Sequence, residues 1–528
     1  MNYQEARDEA QLRVLLDEKS IDPFIKGLTE NRQSIIFFPG GMASKLLRAK
    51  KSFEANSSKP LDLKYQEVWL NLWTFGHPDL NALKLKLHKD AEDGFYHDED
   101  DRIIIADGCI ELAGISPYDD FSAWCEANNI NLFIFGWDWR RPLGDTVTFF
   151  LEKFLPRLNE RLGNAIGPLK NFTLVGHSFG GMIVKLILRR GGDQLVGMNR
   201  AITVATPFYG TGGQIHRWFE GEPLLNHLGE EDKIDLIKTL GSLPAGYTLN
   251  WLEMATFNAN REHFGSGPFM VDDYPSRVDA DPYNLPQPGP DGRARYATGL
   301  LGFSLEELKN GRRVCQDLVG ELPKELRKKY FNIRGVQALS PDPEAPDVLE
   351  QTICSTTWEL VKADFDPRRD KSPIESKLGA GDQVLAAWST HDAACTPDNR
   401  ITVKGILHHS FILSSDEVQK KLGKLLGLPA SSIKNSNSVT EDEINRLDQK
   451  LDADAHRFVQ GLHDFFQDPK NHFGEIAETL EDGARGLIRA AQPGKLLNKV
   501  LGVVAAARGF SDVQRPKIIR HIIMSLCR

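Results

Sequence analysis

Apolar residues in this chain fall into short, dense runs separated by longer stretches with helical spacing. Ser34–Phe38 (SIIFF), Leu132–Phe135 (LFIF), Phe172–Val175 (FTLV) and Ala201–Ala205 (AITVA) are such runs, each stopped by Gly, Pro or polar residues. Their composition predicts strands buried on both faces. Arg102–Ile105 (RIII), Tyr330–Val336 (YFNIRGV), Cys354–Val361 and Ile401–Lys404 predict further strands. Residues 147–162, the segment after Ser178 with Met182, Ile183, Leu186 and Ile187 on one side, and Asp416–Leu426 carry helical patterns. Strands alternating with helices predict an α/β fold, a mostly parallel sheet with helices on both faces.

The regularity breaks in three places. Residues 1–30 read as a short amphipathic helix and a turn ahead of a main domain over 31–430. Residues 211–330 are rich in Gly, Pro and aromatics, with helical pieces at Glu230–Leu240 and Leu305–Lys309. An insertion of that size after a core strand predicts a cap over a site. Beyond Gly427-Leu428-Pro429 a polar linker, Ser431–Ser438, leads to a helical C-terminal region at 439–528.

Net charge is −9, which argues against a nucleic-acid footprint. No apolar run reaches the roughly 18 residues that span a bilayer. The first twenty residues are charged throughout and lack the apolar stretch of a secretory signal, so a cytoplasmic chain is expected, with export without a cleaved signal as the alternative. Six scattered cysteines without C-x-x-C spacing read as free thiols and not as a metal site. Two C-terminal pieces leave the relation to membranes open. Residues 494–508 are small and apolar, and Gln514–Arg528 is basic with paired isoleucines. Together they fit either peripheral contact with an anionic lipid surface or packing against the body. Phe458, Leu462, Phe465 and Phe466, at helical spacing, read as core.

The chemistry is concentrated at Gly176-His177-Ser178-Phe179-Gly180-Gly181, between a predicted strand and a predicted helix. In that context G-x-S-x-G is a nucleophile elbow, with the serine at the apex of a tight turn. A serine hydroxyl needs a base to accept its proton, and in hydrolases of this topology the acid and then the histidine follow downstream. Asp382, in the turn Gly379–Val384, is the preferred acid over Asp364, Asp366 and Asp392. His409 is the preferred base, with the adjacent His408 as the alternative. An oxyanion hole requires two backbone N–H groups. Phe179, directly after the serine, supplies one, and Gly41, in the loop after Ile35–Phe38, is expected to supply the other.

Taken together, these segments resemble the lecithin:cholesterol acyltransferase-like lipases, a family of α/β-hydrolases. Phe38–Leu46 resembles the family's loop after its first strand, Glu67-Val68-Trp69-Leu70-Asn71-Leu72 its W-L-N-L motif, Trp137-Asp138-Trp139-Arg140 its Y-D-W-R motif, and Gly176–Gly181 its G-H-S-x-G-G. Ala205–Gly210 and Gly381-Asp382-Gln383-Val384 match more loosely; Gln383 stands where the family has Gly, as does Ala43. The resemblance supports Ser178, Asp382 and His409 as a triad with Gly41 and Phe179 as oxyanion donors. It also implies that Trp69, with Met42 beside it, lines the acyl or head-group pocket, core packing being the competing role of Trp69. Asp138 and Arg140 read as a buried ion pair that holds loops together. The cysteines that form the lid disulfide of secreted members are absent.

The resulting expectation is a serine-dependent acyl hydrolase or acyltransferase on lipid esters, of phospholipase A type, with no metal or organic cofactor. A carboxylesterase for non-lipid hydrophobic esters or lactones is the enzymatic alternative. A hydrolase-fold binding protein without activity is the alternative from another class.

Overall fold

The computed structural model describes residues 2–53, 64–69, 80–87, 96–98, 101–110, 116–163, 169–211, 214, 230–249, 305–337, 352–358, 374–379, 381–382, 384–405 and 409–429. The C-terminal region 439–528, His408, Asp364 and Asp366 lie outside them, as does 250–304 of the predicted cap.

Six parallel strands form the central sheet: β1 (Ser34–Phe38), β2 (Asn131–Ile134), β3 (Phe172–His177), β4 (Met198–Val204), β5 (Tyr330–Gln337) and β6 (Arg400–Gly405). Their order across the sheet is β6-β5-β4-β3-β1-β2. The direction of strand progression therefore reverses between β1 and β3. In open α/β sheets the crevice at the carboxyl ends of the strands flanking such a reversal is where ligands bind. Both the Gly40–Met42 loop and Ser178 sit at that point. The arrangement is an α/β-hydrolase fold.

Period-two alternation explains why these strands read as continuous apolar runs. On β1, Ile36 and Phe38 join a large core with Phe24, Phe150, Met182 and Leu186. Ile35 and Phe37 point the other way, into a second core with Phe121, Trp124, Val418 and Leu422. The first core is covered by α2 (Glu18–Thr29) and α4 (Phe179–Arg190), the second by α3 (Asp119–Ala127) and α5 (Asp416–Leu425).

Several expectations shift on inspection. Residues 1–30 are two helices, α1 (Tyr3–Leu15) and α2, and both are bonded to the body. Gln11 exchanges two hydrogen bonds with the Ala106 backbone, and the Phe24 carbonyl accepts from Asn131. The strand expected at Arg102–Ile105 is Ile104–Asp107, in a separate antiparallel sheet with Lys45–Ala49 and Tyr65–Trp69. The strand expected at Cys354–Val361 is Thr352–Trp358, paired antiparallel with Ile374–Gly379 away from the central sheet. A short apolar run does not say which sheet it joins. Within 211–330, the described pieces are Glu230–Gly241, Pro244–Leu249, Leu305–Leu318 and Lys324–Lys329. Leu305–Leu318 is tied to the body through Asp317, which pairs with Arg189 and Arg190 of α4.

Candidate active site

The elbow forms where β3 runs straight into α4. Ser178 occupies the junction with φ 53° and ψ −125°, a left-handed conformation costing a non-glycine residue about 1–3 kcal/mol. The turn can close because Gly180 lies against β1: a Cβ there would collide with the carbonyl oxygens of Phe38 and Pro39. Ser178 N–H donates to the Val204 carbonyl at 2.9 Å, which ties the strained residue to β4.

Ser178, Asp382 and His409 are brought together. His409 Nε2 lies 2.8 Å from Ser178 Oγ, and His409 Nδ1 lies 2.7 Å from Asp382 Oδ2. The other Asp382 carboxylate oxygen, Oδ1, accepts from the N–H groups of Val384 (3.2 Å) and Leu385 (2.7 Å). The Asp382 carbonyl accepts from His409 N–H at 3.0 Å. Asp382 and His409 are thus locked by backbone as well as side chain. Asp382 is 1% exposed and His409 6%, while Ser178 is half-buried. The Asp382 carboxylate is shut away from water, while the Ser178 hydroxyl belongs to a residue that is only half-buried.

Asp392, a competing acid in the sequence, is engaged elsewhere. Its Oδ2 meets Lys185 Nζ at 2.5 Å and accepts from Tyr330 Oη at 2.6 Å, and Oδ1 accepts from Ala394 N–H. Lys185 is wholly buried. Desolvation lowers its pKa, and the Asp392 carboxylate opposes that shift.

The loop after β1 is pinned by three aromatic side chains. The Trp137 indole N–H donates to the Pro39 carbonyl at 2.9 Å, and the Trp69 indole N–H to the Met42 carbonyl at 2.8 Å. Tyr118 Oη accepts from Gly40 N–H at 2.7 Å. Ala43 N–H closes the turn onto the Gly40 carbonyl at 3.2 Å. Among the described residues, no acceptor faces the N–H groups of Gly41 and Met42 within this turn. Phe179 is the first residue of α4, so its N–H has no acceptor within the helix. Gly41 lies against that residue: a Cβ on it would sit 2.9 Å from Phe179 Cδ1. Met42 adopts φ 62° at the end of the turn.

Trp69 is only 1% exposed and packs on Trp139 with ring centroids 5.0 Å apart. That packing matches the core role that competes with a place in the pocket wall. Asp138 and Arg140 form the predicted ion pair within a larger cluster. Arg140 bridges Asp138 and Asp98, each at 2.7 Å, Arg141 contacts both at 3.1 Å, and Arg7 reaches Asp138 at 3.4 Å. Burial pushes the Asp138 carboxyl up, but Arg140, Arg141 and Arg7 outweigh it and hold the group well below the usual carboxylate range. Nothing in the sequence tied Asp98, Arg141 or Arg7 to this pair. Tyr118 lies in no motif, and His177 was visible only as the H of the G-H-S-x-G-G segment, with no role assigned to it.

Among the described residues no group of three or more His, Cys, Asp or Glu side chains could hold a metal ion, and no helix is long and apolar enough to cross a membrane. The described cysteines, Cys109, Cys125, Cys315 and Cys395, are buried, and none of them forms a disulfide with another described residue.

No protein-family profile and no curated protein matches the chain. Among solved structures, "The crystal structure of Tle4-Tli4 complex" superposes over 78% of this chain and 99% of that one, with a TM-score of 0.43 at 13% identity. At that score the likeness carries no weight for fold or chemistry, which rest on the geometry above.

Proposed function

We propose that the protein is a serine-dependent acyl hydrolase or acyltransferase acting on lipid esters, with glycerophospholipids as the substrate class. The observation that carries the reading is the unbroken line from Ser178 Oγ through His409 to Asp382, with both contacts under 3 Å. The hydroxyl attacks the ester carbonyl while His409 Nε2 takes its proton. Asp382 holds the imidazole with Nδ1–H toward itself and stabilises the imidazolium without taking the proton. The carbonyl oxygen becomes an oxyanion received by the N–H groups of Gly41 and Phe179 at the positive end of α4. His409 returns its proton to the departing alcohol, leaving an acyl-serine, which water or an acceptor alcohol then resolves by the same steps.

The lipid class is supported by the resemblance of four separated segments to the acyltransferase-like lipases. Two of those segments contribute Trp69 and Trp137, which bond to the carbonyls of the oxyanion loop. Hydrolysis and transfer use the same catalytic groups and differ only in the acceptor.

Product analysis by mass spectrometry on mixed phospholipid vesicles containing an acceptor alcohol tests the reading. Fatty acid and lysophospholipid that vanish in Ser178→Ala are expected, and an acyl-alcohol ester would add transfer. Turnover confined to a monomeric ester would overturn the lipid class and leave the serine chemistry standing.

A further inference from the structure

His177 has no part in the reaction described above, yet it is buried between the two halves of the site. Its Nε2 lies 3.0 Å from the backbone carbonyl of His409, and its Nδ1 lies 2.9 Å from Tyr118 Oη. Tyr118 Oη also accepts from Gly40 N–H. The donor pattern has one consistent solution. A carbonyl can only accept, so Nε2 carries the hydrogen. The Tyr118 oxygen receives the Gly40 N–H, and its own hydrogen goes to Nδ1. The chain runs Gly40 N–H to Tyr118 Oη–H to His177 Nδ1, and Nε2–H to His409 C=O. At one end is the loop that would receive the oxyanion. At the other is the backbone of the residue that would move the proton.

We infer that Tyr118 and His177 are positioning residues that hold the oxyanion loop and the catalytic histidine in fixed register, with His177 neutral throughout the reaction. The inference rests on the hydrolase reading above.

The hydrogen pattern requires neutrality. A second proton on Nδ1 would face the Tyr118 hydroxyl hydrogen, and that hydrogen would need another acceptor in a fully enclosed place. Burial lowers the His177 pKa well below its ordinary value, with the charge of His409 acting in the same direction. Its ring centroid is 4.8 Å from that of His409. A cation at that distance would oppose the imidazolium that the reaction creates. Tyr118 is held in turn by Phe37 of β1, centroids 4.8 Å apart, and it stands at the start of α3. The couple is therefore fixed by the core and not by solvent-exposed loops.

Steady-state kinetics on a monomeric p-nitrophenyl ester, with Ser178→Ala as the zero, test this. Tyr118→Phe removes one oxygen and strands the Gly40 N–H; His177→Gln keeps a donor for the His409 carbonyl and loses the partner of Tyr118. A misplacement near 1 Å lowers rates by up to about 100-fold, so each variant is expected to lose about 10- to 100-fold in kcat with KM within about threefold. The double variant is expected to be no slower than the worse single one, since both cut the same chain. Phe24→Leu, a packing change on α2 against Phe133 of β2, is expected to lower Tm and leave kcat per folded molecule unchanged. With Ser178-dependent turnover established in the wild type, a kcat within about threefold of wild type in both single variants overturns the coupling alone. So does a loss expressed only in KM. Wild type without Ser178-dependent turnover overturns the hydrolase reading and the coupling with it.

Discussion

The indole N–H of Trp69 donates to the carbonyl of Met42 across 2.8 Å, which couples the position of this tryptophan to the loop after β1. Trp69→Phe keeps most of the packing on Trp139 and deletes that donor. A hydrogen bond of this kind contributes about 1 kcal/mol, which as lost positioning amounts to about a fivefold fall in kcat. The acyl-chain-length profile on a series of esters should keep its shape. A shifted profile with unchanged kcat would return Trp69 to the pocket wall.

Asp382 and Asp392, two of the four aspartates that compete as acid in the sequence, should separate cleanly. Asp382→Asn keeps an acceptor for Val384 and Leu385 N–H, so Tm should hold. It also turns the imidazole to the wrong tautomer, and kcat should fall by about four orders of magnitude. Asp392→Ala leaves Lys185 buried without its partner and should lower stability by about 3–5 kcal/mol. The molecules that remain folded should keep near-normal turnover. Thermal denaturation beside single-ester kinetics checks both, and the reverse pattern would exchange the two roles.

Strain at the elbow gives a prediction opposite in sign for stability and activity. Glycine accepts φ 53° without the clash that serine carries. Ser178→Gly should abolish turnover and raise stability by about 1 kcal/mol relative to Ser178→Ala, measured by denaturant unfolding. Equal stabilities would mean the backbone at Ser178 is relaxed.

The buried arginine cluster sets an acid limit. Asp138 and Asp98 are held below the usual carboxylate range, chiefly because Arg140 and Arg141 outweigh the burial that pushes them up. Unfolded aspartate titrates near about pH 3.9, so unfolding takes up protons below that value. The stabilisation from these groups is complete above about pH 4 and is lost as pH falls toward the lower folded values. Asp138→Asn should be less stable at neutral pH and should show a shallower fall in Tm between about pH 4 and pH 2. Parallel Tm curves for variant and wild type would show that Asp138 does not supply the acid sensitivity.

The site was readable in the sequence where chemistry and backbone geometry coincide. Glycines around Ser178, a glycine-flanked Asp382 and an apolar triplet after His409 each left a local mark. The inner strands β1 and β3 were visible as continuous apolar runs because their residues are buried on both faces, whereas the edge strand β6 exposes Thr402 and Lys404. What stayed hidden depends on contacts between distant segments. Tyr118 sits 59 residues from the His177 it bonds, and Asp98 lies 42 from Arg140. The tryptophans of the W-L-N-L and W-D-W-R segments could be recognised as motif residues. That the indoles of Trp69 and Trp137 both reach the backbone of one loop required the fold.

The most direct test of the account is labelling of the full chain with a fluorophosphonate, followed by mass-spectrometric mapping of the adduct. The account predicts a single adduct on Ser178, absent in Ser178→Ala and strongly slowed in His409→Ala. A folded wild type that takes no label, or takes it on another residue, would contradict the assignment of Ser178 as an activated nucleophile.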